Sequence, residues 1–203
     1  MQPNHIIAVS PEDRLNTAGI VVLKRYPRAR PQRPVELLAA KTVSLEGQYA
    51  QVRELCEQID NRLQCDGTAR QAGRLYVNVA PFLNGWPLYQ ALARPSPWGR
   101  QLFGIRPEIV RVSEGDKTLP NLKNVHWLPR LCADVSTARA VIAEMLLIPR
   151  ELSSLSESIA RLSAGPRAED AADPLLDALG LAVWVCDRYS QIGEGGLVNV
   201  RYE

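Results

Sequence analysis

Apolar residues in the first half of the chain come in short unbroken runs bounded by turn formers, interrupted by a stretch with helical spacing. Residues 5–9 (HIIAV) run apolar up to Ser10-Pro11 and read as a buried strand. The polar turn Glu12, Asp13, Arg14, Leu15 and Asn16 leads into 17–23 (TAGIVVL), whose β-branched content predicts a second strand, antiparallel to the first. Residues 24–34 contain three prolines and read as a loop, and 35–43 as a third strand. Between 46 and 63 the pattern changes: Tyr49, Val52, Leu55, Cys56, Ile59 and Leu63 fall on one helical face. A polar connector (64–73) precedes a fourth strand at 74–79. Asn84-Gly85 opens a short helix through Leu92, 95–99 is a Pro/Gly-rich loop, and 108–112 is a fifth strand.

The rest reads as mainly helical. Leu152, Leu155, Ile159 and Leu162 form a stripe at helical spacing, and 163–172 is a small, polar break. Asp173 then fits an N-cap with Pro174 at the first helical position, opening an apolar helix to Cys186. Gly193, Gly195 and Gly196 end the regular region. Three strands, helix, strand, helix, strand is the order of an α/β protein with a mixed sheet and helices on its faces. No internal repeat is visible. The 203 residues suit one domain, 1–190, followed by a tail, 191–203.

Composition narrows the function less than the fold. With 46% apolar and 23% charged residues the chain can bury a core, which excludes global disorder. A net charge of +2 does not announce a nucleic-acid binder, so that case rests on where the charge sits. The most positive segment is the loop carrying Lys24, Arg25, Arg28, Arg30 and Arg33 beside Tyr26, with no acid. It is a candidate DNA-binding loop, with a merely solvated turn as the ordinary alternative.

Cys56, Cys65, Cys132 and Cys186 have no CxxC spacing, and His5 and His126 are too few for an ordinary zinc site. They are expected to be reduced, buried thiols of a cytosolic protein. The N-terminus lacks a basic region followed by a long apolar one, and the longest apolar run, 179–186, falls far short of the ~20 residues of a membrane helix. The expectation is a soluble, cytoplasmic protein with no membrane partner. Trp86, Trp98 and Trp184 read as core or loop anchors, and His126-Trp127 as packing.

Candidate chemistry concentrates at the last helix. Asp173 and Asp177 lie one turn apart on an otherwise apolar element, where a carboxylate is costly unless capping, paired or bound to a metal. Capping accounts for Asp173; a partner arginine would be an ordinary explanation of Asp177. The segment 172–179 (ADPLLDAL) resembles the closing motif of phage terminase large-subunit nuclease domains, in which two acids, two spacers and Asp-Ala-Leu begin the last helix and deliver a metal ligand. Val9-Ser10-Pro11 followed by 16–22 (NTAGIVV) is similar to that family's first hairpin. Asn84-Gly85-Trp86-Pro87-Leu88 is similar to its turn and helix after the fourth strand, and Leu146-Leu147-Ile148-Pro149 to its short strand before the penultimate helix.

These matches run in the family's order to about residue 187. They imply an RNase H-like fold: a mixed sheet of three antiparallel strands, then β/α units, flanked by helices. They also imply a Mg²⁺- or Mn²⁺-dependent endonuclease ancestry. The departures are equally specific. Ser10 stands where the family has a first-strand Asp, and Asn78, Val79 and Ala80 where it has an acid ending the fourth strand. Glu12 and Asp13 are neighbouring acids, both assigned to the turn. No GxxxxGK[ST] loop occurs in these 203 residues, so they are not expected to contain the ATPase half of a terminase.

Three functions remain open. One is a pseudo-nuclease of phage or prophage origin that binds DNA or an assembly partner during DNA packaging or processing, in the host cytoplasm. Another is an active metal-dependent DNA endonuclease using Asp177, Asp173 and a shifted acid such as Asp13, with Asp173 and Asp177 as metal ligands. The third is a structural subunit that binds only protein.

Overall fold

The computed structural model describes residues 5–24, 35–65, 73–80, 83–113, 125–129, 146–147 and 174–192. Asp173, the loop residues Arg25, Arg28, Arg30 and Arg33, Cys132, the 152–162 stripe and the chain beyond 192 lie outside the described residues, as do the side chains of Cys65, His126, Trp127 and Trp184.

Strands β1 (His5–Glu12), β2 (Thr17–Lys24) and β3 (Val35–Ser44) pair antiparallel in succession, as the apolar runs predict. Helix α1 (Ala50–Cys65) crosses to β4 (Gly73–Ala80), which lies parallel to β1. Helix α2 (Gly85–Ala93) and a single 3₁₀ turn (Leu102–Gly104) lead to β5 (Glu108–Ser113), parallel to β4. Two further strands are present. β6 (Val125–Pro129) pairs parallel with β5, and the two-residue β7 (Leu146–Leu147) pairs parallel with β3. Among the described residues the sheet order is β6-β5-β4-β1-β2-β3-β7. The sequence pattern does not predict β6, because a five-residue run carries too little periodicity to separate strand from loop.

The sheet is covered on both sides, which is why β1 and β2 read as continuous apolar runs. One face packs Ile7, Val9, Ile20, Val22, Leu75 and Val77 against α1 and α2. The other packs Ile6, Ala8, Val21, Leu23, Leu37 and Tyr76 against the last helix, α3 (Pro174–Ile192), through Ala178, Leu179, Leu181 and Ala182.

Two element ends differ from the periodic reading. α1 begins at Ala50 rather than 46, because Gly47, Gln48 and Tyr49 adopt φ of 64°, 57° and 67°, a left-handed conformation from which a right-handed helix cannot start. β1 extends through Pro11 to Glu12, so Glu12 belongs to the strand and not to the turn. The proline is tolerated because pairing with β4 ends at Val9↔Val77, leaving no β4 partner in need of its missing N–H.

Candidate functional site

The polar residues of interest follow from strand alternation. Ile6 and Ala8 face α3, so Ser10 and Glu12 at the next two same-side positions of β1 face it too. By the same rule Asn78 follows Tyr76 on β4, while Gly19 and Thr17 precede Val21 on β2. Ser10 pairs with Gly19 and Glu12 with Thr17 across the hairpin. Four polar side chains thus gather at one end of the sheet, on the side covered by the start of α3.

Gly19 is what lets α3 come so close. A Cβ there would collide with the Pro174 carbonyl and lie 2.6 Å from the Leu175 Cα. The first turn of α3 therefore rests directly on β2, beside Ser10, and carries Asp177 half-buried one turn in. Ser10 is fully buried and Asn78 is 4% exposed. The Asn78 amide Nδ2 donates to Ser10 Oγ at 3.4 Å, a long bond. Asn78 Oδ1 and Thr17 Oγ1 are buried and have no hydrogen-bond partner among the described residues. Glu12 is buried as well, and its Oε1 accepts the backbone N–H of Arg14 at 3.1 Å.

Asp13 faces elsewhere. Its carboxylate accepts the backbone N–H of Leu83 at 2.6 Å, that of Asn84 at 2.9 Å and the Asn84 side-chain amide at 2.9 Å. Asn84 in turn accepts the Tyr49 hydroxyl at 2.9 Å. Asp13 thereby holds the turn that opens α2. Of the acids singled out in the sequence, Asp177 is on the helix that covers Ser10, Asp13 is in the loop beyond β1, and Asp173 is outside the described residues. The turn formers around Glu12 place it in the loop on sequence grounds, although its even position in the series 6, 8, 10, 12 marks it as sharing the Ser10 face.

A divalent-metal centre of the two-ion kind needs several converging carboxylates as bridging ligands. The described donors do not fit one. The two innermost, Ser10 and Asn78, are neutral, and among the described residues no three His, Cys, Asp or Glu side chains gather as around a metal ion. Thiol chemistry is no substitute. Cys56 and Cys186 are buried and form no disulfide, and burial, reinforced by Glu57, pushes the Cys56 thiol up from 9.0 to about 12. No described helix is long and apolar enough to cross a membrane.

Three antiparallel strands followed by parallel β/α units, with a last helix laid across the first strands, constitute an RNase H-like fold. Among solved structures the chain is similar to the human cytomegalovirus terminase nuclease domain, soaked with manganese. The overlap has a TM-score of 0.53 over 93% of this chain and 86% of that one, at 12% identity. RuvC of Thermus thermophilus overlaps less well, with a TM-score of 0.43 at 13% identity over 94% of this chain and 97% of that one. At such identities the likeness is one of fold. The fold expected from the terminase resemblance is the fold found. No protein-family description matches the sequence, and no curated protein matches it.

Proposed function

We propose that the chain is a nuclease-like module that has exchanged its metal centre for neutral polar residues and binds DNA without cutting it, in the packaging or processing of phage or prophage DNA. The observation that carries this reading is the buried Ser10–Asn78 pair, with its 3.4 Å Nδ2–Oγ contact. Where two carboxylates would repel each other until a cation joined them, a hydroxyl and an amide pack together with no ion required. The contribution of these residues is structural: they close the sheet end beneath α3. DNA would be held by charge outside the pocket, first by the basic loop. Lys24, at the end of β2, is its one member among the described residues.

One observation favours a second reading, an active Mg²⁺- or Mn²⁺-dependent endonuclease. Glu12 places a buried carboxylate on the Ser10 face, two residues further along β1. The two readings separate on supercoiled plasmid with Mg²⁺ or Mn²⁺. The proposal expects a gel shift that persists in EDTA, with no nicking. Robust cleavage abolished by Asp177→Ala would overturn it. Changing Arg28 and Arg30 to Ala should flatten the slope of log K against log salt by about 2 on duplex DNA. Absence of any DNA binding at low salt would leave the protein-only subunit as the reading.

A further inference from the structure

From residue 67 to residue 107 the chain contains Arg70, Arg74, Arg94, Arg100 and Arg106 and not one aspartate or glutamate. The described part of this segment folds into β4, α2 and the loop that follows, and it puts aromatic rings on the surface. Trp86 is 44% exposed and Trp98 93% exposed, contrary to their reading as core or loop anchors. The indole of Trp86 stacks on the Tyr89 ring at 5.3 Å between centroids and 25° between planes, and the Arg106 guanidinium lies 5.7 Å from the centroid of that same ring. Tyr89 is buried, so the stack presents Trp86 outward. Trp86 and Gln90, both exposed, lie one turn apart along α2, and exposed Arg94 follows at its C-terminal end in extended backbone.

The platform is held firmly, on the sheet face opposite the one that carries Ser10 and Asn78. Gly85 lies so close to β4 that a Cβ on it would be 2.5 Å from the Val79 carbonyl oxygen, one residue past Asn78. Asp13 ties down the start of α2. Arg53 Nη1 donates to the carbonyls of Ala91 and Arg94 at its other end, at 2.8 and 3.0 Å. Neighbouring acids have partners: Asp13 has backbone amides, Glu57 has Arg53, Asp60 has Arg100 at 2.8 Å and Glu108 has Arg74 at 2.6 Å, so Arg74 and Arg100 of the segment are held in ion pairs.

We infer that α2 and the loop after it form a single-stranded DNA-binding surface, on which Trp86 stacks an unpaired base while Arg94 and Arg106 lie along the phosphates. The inference rests on the DNA-binding reading and deepens it. Exposed Arg94 and Arg106, on a segment that contains no acid of its own, complement a polyanion, and exposed indoles have a partner in unpaired bases, which a closed duplex does not offer. The nine residues of α2 span about 13 Å, the length of roughly four stacked nucleotides.

The test is fluorescence anisotropy of labelled oligothymidylate and of a matched blunt duplex, over a salt series in EDTA. Wild type should prefer the single strand. Trp86→Ala should weaken it roughly ten- to a hundredfold, Trp86→Phe should retain most of the affinity, and neither should change the salt slope. Arg94→Gln with Arg106→Gln should instead flatten that slope by about 1.4, at ~0.7 for each phosphate no longer neutralised. A thermal melt of each variant confirms that it folds, and Trp98→Ala is a second probe on a ring that packs on almost nothing. If both Trp→Ala variants bind as wild type does, the surface is wrong and the DNA-binding reading survives. If wild type binds neither DNA, both fall. If the Trp variants dissociate an oligomer in sedimentation and leave DNA affinity untouched, the patch is a self-association surface and the inference is overturned.

Discussion

Asn78 and Ser10 are separated by 68 residues in sequence, yet the amide of one reaches the hydroxyl of the other at 3.4 Å inside the protein. Parallel pairing of β4 with β1 brings them together, since Ala8 is opposite Tyr76 and the two strands run on side by side toward Ser10 and Asn78. Both stand where the resembled family places acids, so this contact gives the neutral substitution its physical meaning.

Ser10→Asp should therefore be destabilising in a pH-dependent way. Burial disfavours the charged form and would raise the new carboxyl above its unfolded value of about 3.9. With the folded value raised, the penalty is absent below the unfolded value and grows as pH rises through the folded one. Urea denaturation at pH 7 should show a loss of about 2–4 kcal/mol relative to wild type, shrinking toward pH 4. An equal loss at both pH values would mean that the cost is steric rather than one of burying charge.

Gly19→Ala tests the seating of α3 on β2. The added methyl meets the Pro174 carbonyl and the Leu175 Cα, both backbone atoms that cannot rotate aside. We expect a cost of about 1–3 kcal/mol or more, from the helix being pushed off the sheet. Gly180→Ala in the same helix is the control. Nothing lies within 4 Å of its added Cβ, so it should stabilise by about 0.5–1 kcal/mol. Thermal melts of the two variants should move in opposite directions.

Asp13→Ala should behave as the loss of a turn anchor. It removes the acceptor for the Leu83 and Asn84 amides, at a cost of about 1–3 kcal/mol for bonds to a charged group. Hydrogen exchange should speed up at 83–84 and at the start of α2. If stability is unchanged while a divalent-cation response disappears, Asp13 belongs to a metal site.

Cys56 should resist labelling in the native state up to pH 9 and react only on unfolding, because its thiol stays protonated to about 12. The linkage has a definite sign. The unfolded thiol ionises near 9 and the folded one does not, so stability falls as pH rises above 9, by up to about 1.4 kcal/mol per pH unit from this group. Cys56→Ala or Cys56→Ser should reduce that slope, which pH-dependent denaturation would detect.

Residue order alone marked the first five strands and the three helices, because periods of 2 and 3.6 and the positions of proline and glycine are local properties, whereas the five-residue β6 was too short to be marked. The runs at 5–9 and 17–23 became β1 and β2, Pro174 opens α3, and the absence of acids at Ser10 and Asn78 was legible directly. The tertiary structure alone decided what those residues meet. Left-handed backbone at 47–49 postponed α1, and continuation through Pro11 turned Glu12 from a loop acid into a buried strand acid. Trp86 turned outward although its apolar character suits a core, since α2 had already filled its inner face with Leu88, Tyr89 and Leu92. Apolar pattern specifies which side of each element is buried. Meetings between distant polar groups depend on strand register and on how closely a helix can approach, and here those were set by parallel pairing across 68 residues and by a missing Cβ at Gly19.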